Sequence, residues 1–381
     1  MSTFEMDKSY IANTYARFPL AVKEGHGAIL VDEDGKEYID LGSGIAVNTF
    51  GAGDDKWVAA VSAQAKALSH ISNLYYTQPQ VKLAKLLCEK TGMKKVFFGN
   101  SGAEANECAI KVARKYNHHR NVIISLEGSF HGRTLATLAM TGQEVFHSQF
   151  QPLPEGFKHV PPNDLKALEN AVDDSVCAVM IELVQGEGGV NVLDRAYAEK
   201  VQALCKENDI LFMIDEVQTG MGRTGALYAF MQYGLSPDVV TSAKGLGGGL
   251  PIGACLMGEK AQNVLGLSDH GSTFGGNPIC AAGAVSILER MDDKLLLEVK
   301  EKSAYIFKTL QGKSGIKSVS GLGLMIGIET DKPAREVVDA CLKQGVVTLT
   351  AKNKVRLLPP LSITKAQLEK ALKVLVDNCA L

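Results

Sequence analysis

Six short, almost unbroken apolar runs mark the middle of the chain: residues 95–98, 122–126, 176–182, 210–214, 239–243 and 253–257. Runs of this length without polar alternation predict strands covered on both faces, and the stretches between them carry helical spacing. The clearest helix follows residues 95–98. Its apolar side chains fall at Ala105, Cys108, Ala109, Val112, Ala113 and Tyr116, and Ser101 with Glu104 reads as a capping box at its start. Strands alternating with helices predict an α/β fold with a largely parallel sheet.

The two ends have a different texture. Residues 29–44 read as strands around an Asp34-Gly35 turn. Residues 319–329 and 346–358 read as strands, and residues 335–343 and 364–379 as helices. The last helix is opened by Thr364, with Gln367 three residues on. This end reads as a small α+β domain.

Composition narrows the function classes. The chain has 381 residues, 46% hydrophobic and 22% charged, with a formal net charge of −2. That balance gives no basic face for nucleic acid, and no apolar run approaches membrane-span length. The expectation is a soluble, cytoplasmic protein. None of the eight cysteines forms a CxxC pair or stands at zinc-ligand spacing from a histidine, so neither metal nor disulfide is expected. Gly312-Lys313-Ser314 has Phe307 where a P-loop needs glycine, and Gly321, Gly323 and Gly327 miss the dinucleotide fingerprint by one residue. The latter run is better read as a strand with close backbone packing.

Lys244 is the chemically informative residue. It stands where an apolar strand ends and Gly245-Leu246-Gly247-Gly248-Gly249 begins. A lysine held there is partly desolvated, which lowers its pKa and frees the amine to attack a carbonyl. Asp215 ends the preceding apolar run, so both side chains can meet at one sheet edge. A Schiff-base lysine plus a carboxylate facing a pyridinium nitrogen is the minimal equipment for pyridoxal phosphate chemistry. The turn Gly99-Asn100-Ser101-Gly102-Ala103 opens a helix and presents N–H groups suited to a phosphate. It also nearly matches a nucleophile elbow, and Ser101, Asp215 and His270 follow the chain order of serine hydrolases, an alternative of a different class. Phe130-His131-Gly132-Arg133 offers a ring to cover a planar cofactor and a guanidinium for a carboxylate. Glu187 lies in a glycine-flanked turn, Arg356 lies inside an apolar stretch that demands an anionic partner, and residues 270–278 form a loop rich in hydroxyls and glycine.

Together these segments resemble the class III, fold type I pyridoxal phosphate aminotransferases. The resemblance runs from Tyr38-Ile39-Asp40 and Gly44-Ile45-Ala46-Val47-Asn48 to Val355-Arg356, and is strongest over residues 100–107, 130–134, 185–190, 214–225, 243–253 and 270–278. It implies a large domain with a mostly parallel seven-stranded sheet over residues 51–285 and a small domain over residues 286–381, joined by residues 1–50. It implies that Lys244 carries the cofactor and moves the proton, while Asp215 keeps the pyridine nitrogen protonated. Gln218 is implied near the phenolic oxygen, Ser101, Gly102 and Ala103 at the phosphate, and Phe130 on the ring. Glu216 and Val217 belong to the same cofactor set. Arg133 is implied at the donor's α-carboxylate, with Ser272 and Tyr15 beside it. Glu187 and Arg356 are implied to form a switch that opens for glutamate. Thr273 is implied at the phosphate of a partner subunit, hence a homodimer with shared active sites. Within the family the likeness is greatest to members that move the δ-amino group of N-acetylornithine to 2-oxoglutarate. Members acting on ornithine, succinylornithine, succinyldiaminopimelate or 4-aminobutyrate use the same set.

The chain departs from the family pattern in two places. Gly51-Ala52-Gly53-Asp54-Asp55 replaces a segment of the form Gly-His-x-His-Pro, and Glu182-Leu183 replaces Glu-Pro.

Overall fold

The computed structural model describes residues 1–380. Seven strands form the main sheet: β1 (Lys95–Gly99), β2 (Val122–Leu126), β3 (Phe157–Val160), β4 (Val176–Ile181), β5 (Leu211–Asp215), β6 (Val239–Ser242) and β7 (Gly253–Met257). Their order across the sheet is β1-β7-β6-β5-β4-β2-β3. Only β7 runs antiparallel, between β6 and β1. The seventh strand, β3, escapes the apolar pattern because Phe157-Lys158-His159-Val160 alternates. It is an edge strand with one neighbour and mostly half-buried side chains, so it needs no unbroken apolar run.

The unbroken runs elsewhere have a simple cause. Met180, Leu211, Met213, Val239 and Cys255 pack on one face against Cys108, Ala109 and Val112 of helix α1 (Gly102–Tyr116). Val179, Ile181, Phe212, Ile214 and Val240 pack on the other, against Ala198, Val201 and Cys205 of the helix Arg195–Glu207. Successive side chains of a strand point to opposite faces, so a sheet buried on both sides cannot alternate.

The chain ends build smaller sheets. Glu37–Asp40 pairs antiparallel with Ile29–Asp32 and parallel with Val346–Val347, which ties the N-terminal segment to the C-terminal one. Residues 319–329 were expected as one strand, but they belong to a hairpin of Ile316–Leu322 and Met325–Thr330 that reverses at Gly323. Gly323 has φ +61°, and a Cβ there would stand 2.5 Å from the Arg223 carbonyl oxygen. Residues 346–358 likewise divide into three short strands in two sheets. Arg223 bolts these parts to the main body, with Nη1 donating to the carbonyls of Leu324 (3.2 Å) and Pro359 (2.5 Å). Burial pushes its pKa down to about 9.

The two expected capping boxes differ. Thr364 and Gln367 exchange both bonds at the start of the helix Lys365–Cys379. Ser101 accepts from the Glu104 N–H at 3.2 Å, but Glu104 reaches past it to the N–H of Asn100. Glutamate therefore braces the turn before the helix instead of closing the box.

That turn depends on a glycine in a neighbouring strand. A Cβ on Gly253 would lie 2.1 Å from the Ser101 carbonyl oxygen, with no flexible side chain to yield. Gly253→Ala is expected to destabilise the protein by about 1–3 kcal/mol through overpacking. Differential scanning calorimetry should show a lower thermal midpoint, and an unchanged midpoint contradicts the packing argument.

Candidate active site

The loops leaving the carboxyl ends of the parallel strands converge on one cavity of about 480 Å³. Open α/β sheets place ligand sites at this edge, where strand ends and helix N-termini face together. The turn after β1 brings Asn100, Ser101, Gly102 and Ala103, and the loop after β2 brings Phe130, His131, Gly132 and Arg133. Glu182 and Glu187 follow β4, Asp215, Val217 and Gln218 end β5, and Ala243 with Lys244 follow β6. Val47 and residues 249–252 complete the wall.

Asp215 is buried and rigidly held. Oδ2 accepts from His131 Nδ1 and Asn106 Nδ2, both at 2.8 Å, and Oδ1 accepts from the Val217 N–H at 2.9 Å. Burial works against a charge on His131, but the bond to Asp215 and the charges of Asp215 and Glu182 outweigh it and raise its pKa. A carboxylate offers about four lone-pair positions, so one on Oδ1 is left for a donor in the cavity.

Lys244 keeps a face open to the cavity, yet protein surrounds it deeply enough that burial lowers its pKa. Arg356 adds to the fall, while Glu187, Asp215 and Glu182 oppose it. Its backbone is left-handed, φ +45°, in a turn over Lys244–Leu246. A branched or bulky residue pays for that conformation, and lysine holds it only because its surroundings impose it.

Arg356 is 3% exposed and grips Glu187, with Nη1 at 2.6 Å from Oε1 and Nη2 at 3.4 Å from Oε2. Its Nη1 also lies 3.4 Å from Gln218 Oε1. Burial pushes the Glu187 carboxyl up, but Arg356, with help from Lys244 and Gln218, holds it below the ordinary range. Arg133 is exposed and lies over two rings, 5.4 Å from the Phe130 centroid and 4.5 Å from that of Phe146.

The other expected residues divide. Glu216 turns away from the cavity, accepting from the Phe230 N–H (2.7 Å) and Thr219 Oγ1 (2.5 Å), and burial raises its pKa to about 7. Ser272 Oγ is engaged by the Gly275 N–H (3.0 Å) and Asn100 Nδ2 (3.1 Å), behind the cavity wall. Thr273 and Tyr15 are exposed and stand outside the wall of this chain's cavity. The hydrolase arrangement does not form. Ser101 caps a helix, His270 meets Lys111 at 3.2 Å, and the histidine on Asp215 is His131.

Sequence reasoning passed over His131, Asn106, Glu182 and Phe146 as site residues. Asn106 carried a signal, a polar residue among Ala105, Cys108 and Ala109 on a buried helix face. Glu182 carried one too, a carboxylate at the end of an apolar strand. Among the described residues no group of three or more His, Cys, Asp or Glu is arranged to hold a metal ion, and no helix is long and apolar enough to cross a membrane.

These residues fit pyridoxal phosphate. Gly102 and Ala103 open helix α1, where N–H groups lack a helical partner, and with Ser101 they line the cavity and would cradle a phosphate. A side chain at Gly102 would strike Val217, its Cβ 2.8 Å from Cγ1. Asp215 retains a free acceptor for a ring N–H, and Lys244 is an amine within the same cavity. A doubly wound sheet with this lysine and this buried aspartate defines a pyridoxal phosphate-dependent transferase. The chain belongs to the class-III aminotransferases, whose family profile, "Aminotransferase class-III", matches residues 10–378.

Among its relatives is an acetylornithine aminotransferase of Haemophilus ducreyi, 53% identical over 98% of this chain and 97% of the relative. An acetylornithine aminotransferase of Methanothermobacter thermautotrophicus is 46% identical over 97% and 96%. Similar solved structures include the N-acetylornithine aminotransferase of Stenotrophomonas maltophilia, with TM-score 0.84 and 35% identity over 98% of both chains. The ornithine aminotransferase of Toxoplasma gondii ME49 superposes with TM-score 0.94 at 31% identity, covering 98% of this chain and 93% of that one.

Glu182 gives the site a pH signature. Burial raises its carboxyl from the ordinary 4.5 to about 7. Between those values the native chain holds a proton that the unfolded chain has lost. Stability from this group is therefore complete below pH 4.5 and falls as the pH rises through 7. Glu182→Gln removes that dependence. In cofactor-free protein the variant's thermal midpoint, relative to wild type, is expected to be higher at pH 8 than at pH 5. An equal difference at both pH values contradicts the assignment.

Proposed function

We propose that this chain moves the δ-amino group of N-acetylornithine to 2-oxoglutarate, giving N-acetylglutamate 5-semialdehyde and glutamate. The observation that carries the reading is a pair of arginines differently tied to the cavity, Arg356 closed on the cavity-lining Glu187 and Arg133, on the wall itself, resting on aromatic rings. A donor with a terminal amine presents its carboxylate several bonds from the reacting nitrogen, within the province of Arg133. Glutamate presents its α-carboxylate beside the amine, and Arg356 takes it when Glu187 swings aside. One site thus serves two substrates that differ in where the negative charge lies.

Pyridoxal phosphate, when bound, supplies the carbonyl that takes up the amino group and the ring that accepts electrons from the substrate carbon. The chain does the rest. Lys244, with its pKa lowered, is the amine that anchors the group and then carries the proton between carbon atoms. Asp215, held in place by His131 and Asn106, would accept a hydrogen bond from the ring nitrogen. Gln218 and Phe130 position the ring, and Ser101, Gly102 and Ala103 hold the phosphate. The names of the relatives support N-acetylornithine as donor. The fold alone does not choose, since the Toxoplasma ornithine enzyme superposes at the higher TM-score.

The visible spectrum of the cofactor-loaded protein decides the donor. The band is expected to disappear at low N-acetylornithine, and to persist at the same concentration of ornithine or 4-aminobutyrate. A band that yields first to another amine overturns the donor. Arg356→Ala is expected to slow the glutamate half-reaction by about a hundredfold, the scale of a lost buried carboxylate partner. It should leave the N-acetylornithine half-reaction nearly intact, and equal damage to both rejects the switch. Lys244→Ala removes turnover and the borohydride-reducible link to the cofactor.

A homodimer in the cytoplasm belongs to the same proposal. Leu74, Tyr75, Tyr76 and Phe274 are exposed apolar residues, and the His70 ring meets that of Phe274 at a tilt, 5.0 Å between centroids. Asn73 donates to the carbonyls of Ser272 and Gly275, so this patch adjoins the loop that displays Thr273. Such a patch on a soluble chain fits a protein partner. Sedimentation equilibrium is expected to give twice the chain mass, and Tyr76→Asp to shift it toward one. A wild-type monomer at micromolar concentration refutes the dimer.

A further inference from the structure

We infer that Trp57 is a positioning residue for Lys244, acting through the glycine turn that follows the lysine. Trp57 is the only tryptophan in the chain. It lies in the first turn of the helix Asp55–Ala67, and its indole Nε1 donates to the Gly247 carbonyl at 3.0 Å. The N–H groups of Gly247 and Gly248 in turn donate to the Lys244 carbonyl, at 3.0 and 3.3 Å. One carbonyl and two N–H groups therefore link the indole to the lysine backbone across three residues.

The slot for the ring is made of missing side chains. A Cβ on Gly283 would lie 2.9 Å from Nε1, one on Gly248 3.2 Å from it, and one on Gly249 3.4 Å from Cζ2 and Cη2. Gly248 and Gly249 also hold φ +61° and +137°, which only glycine tolerates readily. Just past them, residues 249–252 form part of the cavity wall. The indole thus fixes both the left-handed turn of Lys244 and the wall beside it.

The base of the indole is itself held. Asp54 Oδ1 accepts from the Trp57 N–H at 2.9 Å, and Asp54 pairs with Arg290 at 2.8 Å. Arg290 lies 3.8 Å over the Phe50 ring. Asp54 belongs to the segment that departs from the family pattern, at residues 51–55. Ala52 and the glycines there pack against the backbone at Gly25 and Gly27, where larger residues would collide. The departure gives a helix cap and an ion pair that seat the tryptophan, which joins the altered loop to Lys244.

The inference rests on reading Lys244 as the lysine that binds the cofactor. The test uses full-length protein stripped of cofactor and reloaded with pyridoxal phosphate. In wild type, the fluorescence of Trp57 is expected to fall in step with the growth of the visible band. Trp57→Leu is expected to form the lysine–cofactor link at least about tenfold more slowly at saturating pyridoxal phosphate, the cost of a displaced reacting amine. The pH at which the band titrates should shift with it. Trp57→Phe keeps a ring but loses the hydrogen bond, and should fall between the two. It also serves if Trp57→Leu does not fold. Wild-type loading rates and an unmoved titration in the folded variants overturn the positioning role while leaving Lys244 in place. Wild type with no borohydride-fixed label at Lys244 overturns the reading of the lysine, and the positioning role with it.

Discussion

A carboxylate buried inside protein and hydrogen-bonded on both oxygens is the constraint around which this molecule is arranged. Asp215 stands at the carboxyl end of a central strand with almost no solvent contact. An ion in that position is costly unless every face of it is paired or hydrogen-bonded. His131, Asn106 and the Val217 N–H supply three of those bonds, each from a different part of the chain. Helix α1 must lie close enough for Asn106 to reach the strand end, and the loop after β2 must cross over it to deliver His131. The same two segments bring Ser101, Gly102, Ala103 and Phe130 to the cavity wall. Satisfying this carboxylate therefore gathers the residues that line the cavity.

The electrostatics of the cavity follow from that core. Lys244 shares the cavity with Glu187, Asp215 and Glu182, and Arg356 stands behind Glu187. Desolvation presses the lysine toward its neutral form, while Glu187 is retained as an ion only because Arg356 faces it. The Glu187–Arg356 pair joins a buried arginine to a half-exposed glutamate on a glycine-flanked turn. That turn lies between residues whose backbone is strained or short of side chains, including Val190 at φ +54°. The pair joins one partner on a strand to one on a loop. Arg356 lies on the strand Lys354–Leu357, and Glu187 lies on the loop.

How much of this was legible depends on the range of the interaction. The six apolar runs and the helix after β1 are local patterns, and they appear in the structure at the same places. Lys244, Asp215 and the turn at Ser101 stand at strand ends, and strand ends of a parallel sheet converge whatever the details. The edge strand β3 was not legible because an edge carries no unbroken apolar signal. The hairpin at Gly323 was read through as one strand, since its glycines satisfy both readings until the neighbouring Arg223 carbonyl decides. Glu216 sits in the right motif but spends its carboxylate on Phe230 and Thr219, a choice made by side-chain direction alone.

By itself the sequence determined the class of fold and the cofactor chemistry, and it put candidate residues for that chemistry at the ends of the strands. Each depends on residue type at an element boundary, and boundaries are written locally in apolar runs, caps and glycines. Tertiary structure alone decided that His131 and Asn106 share Asp215, that Arg356 finds Glu187 across 169 residues, and that Trp57 lies in a slot of three glycines. Those contacts join segments far apart in the chain. Their partners are chosen by which faces the packing turns toward one another, and no local pattern carries that information.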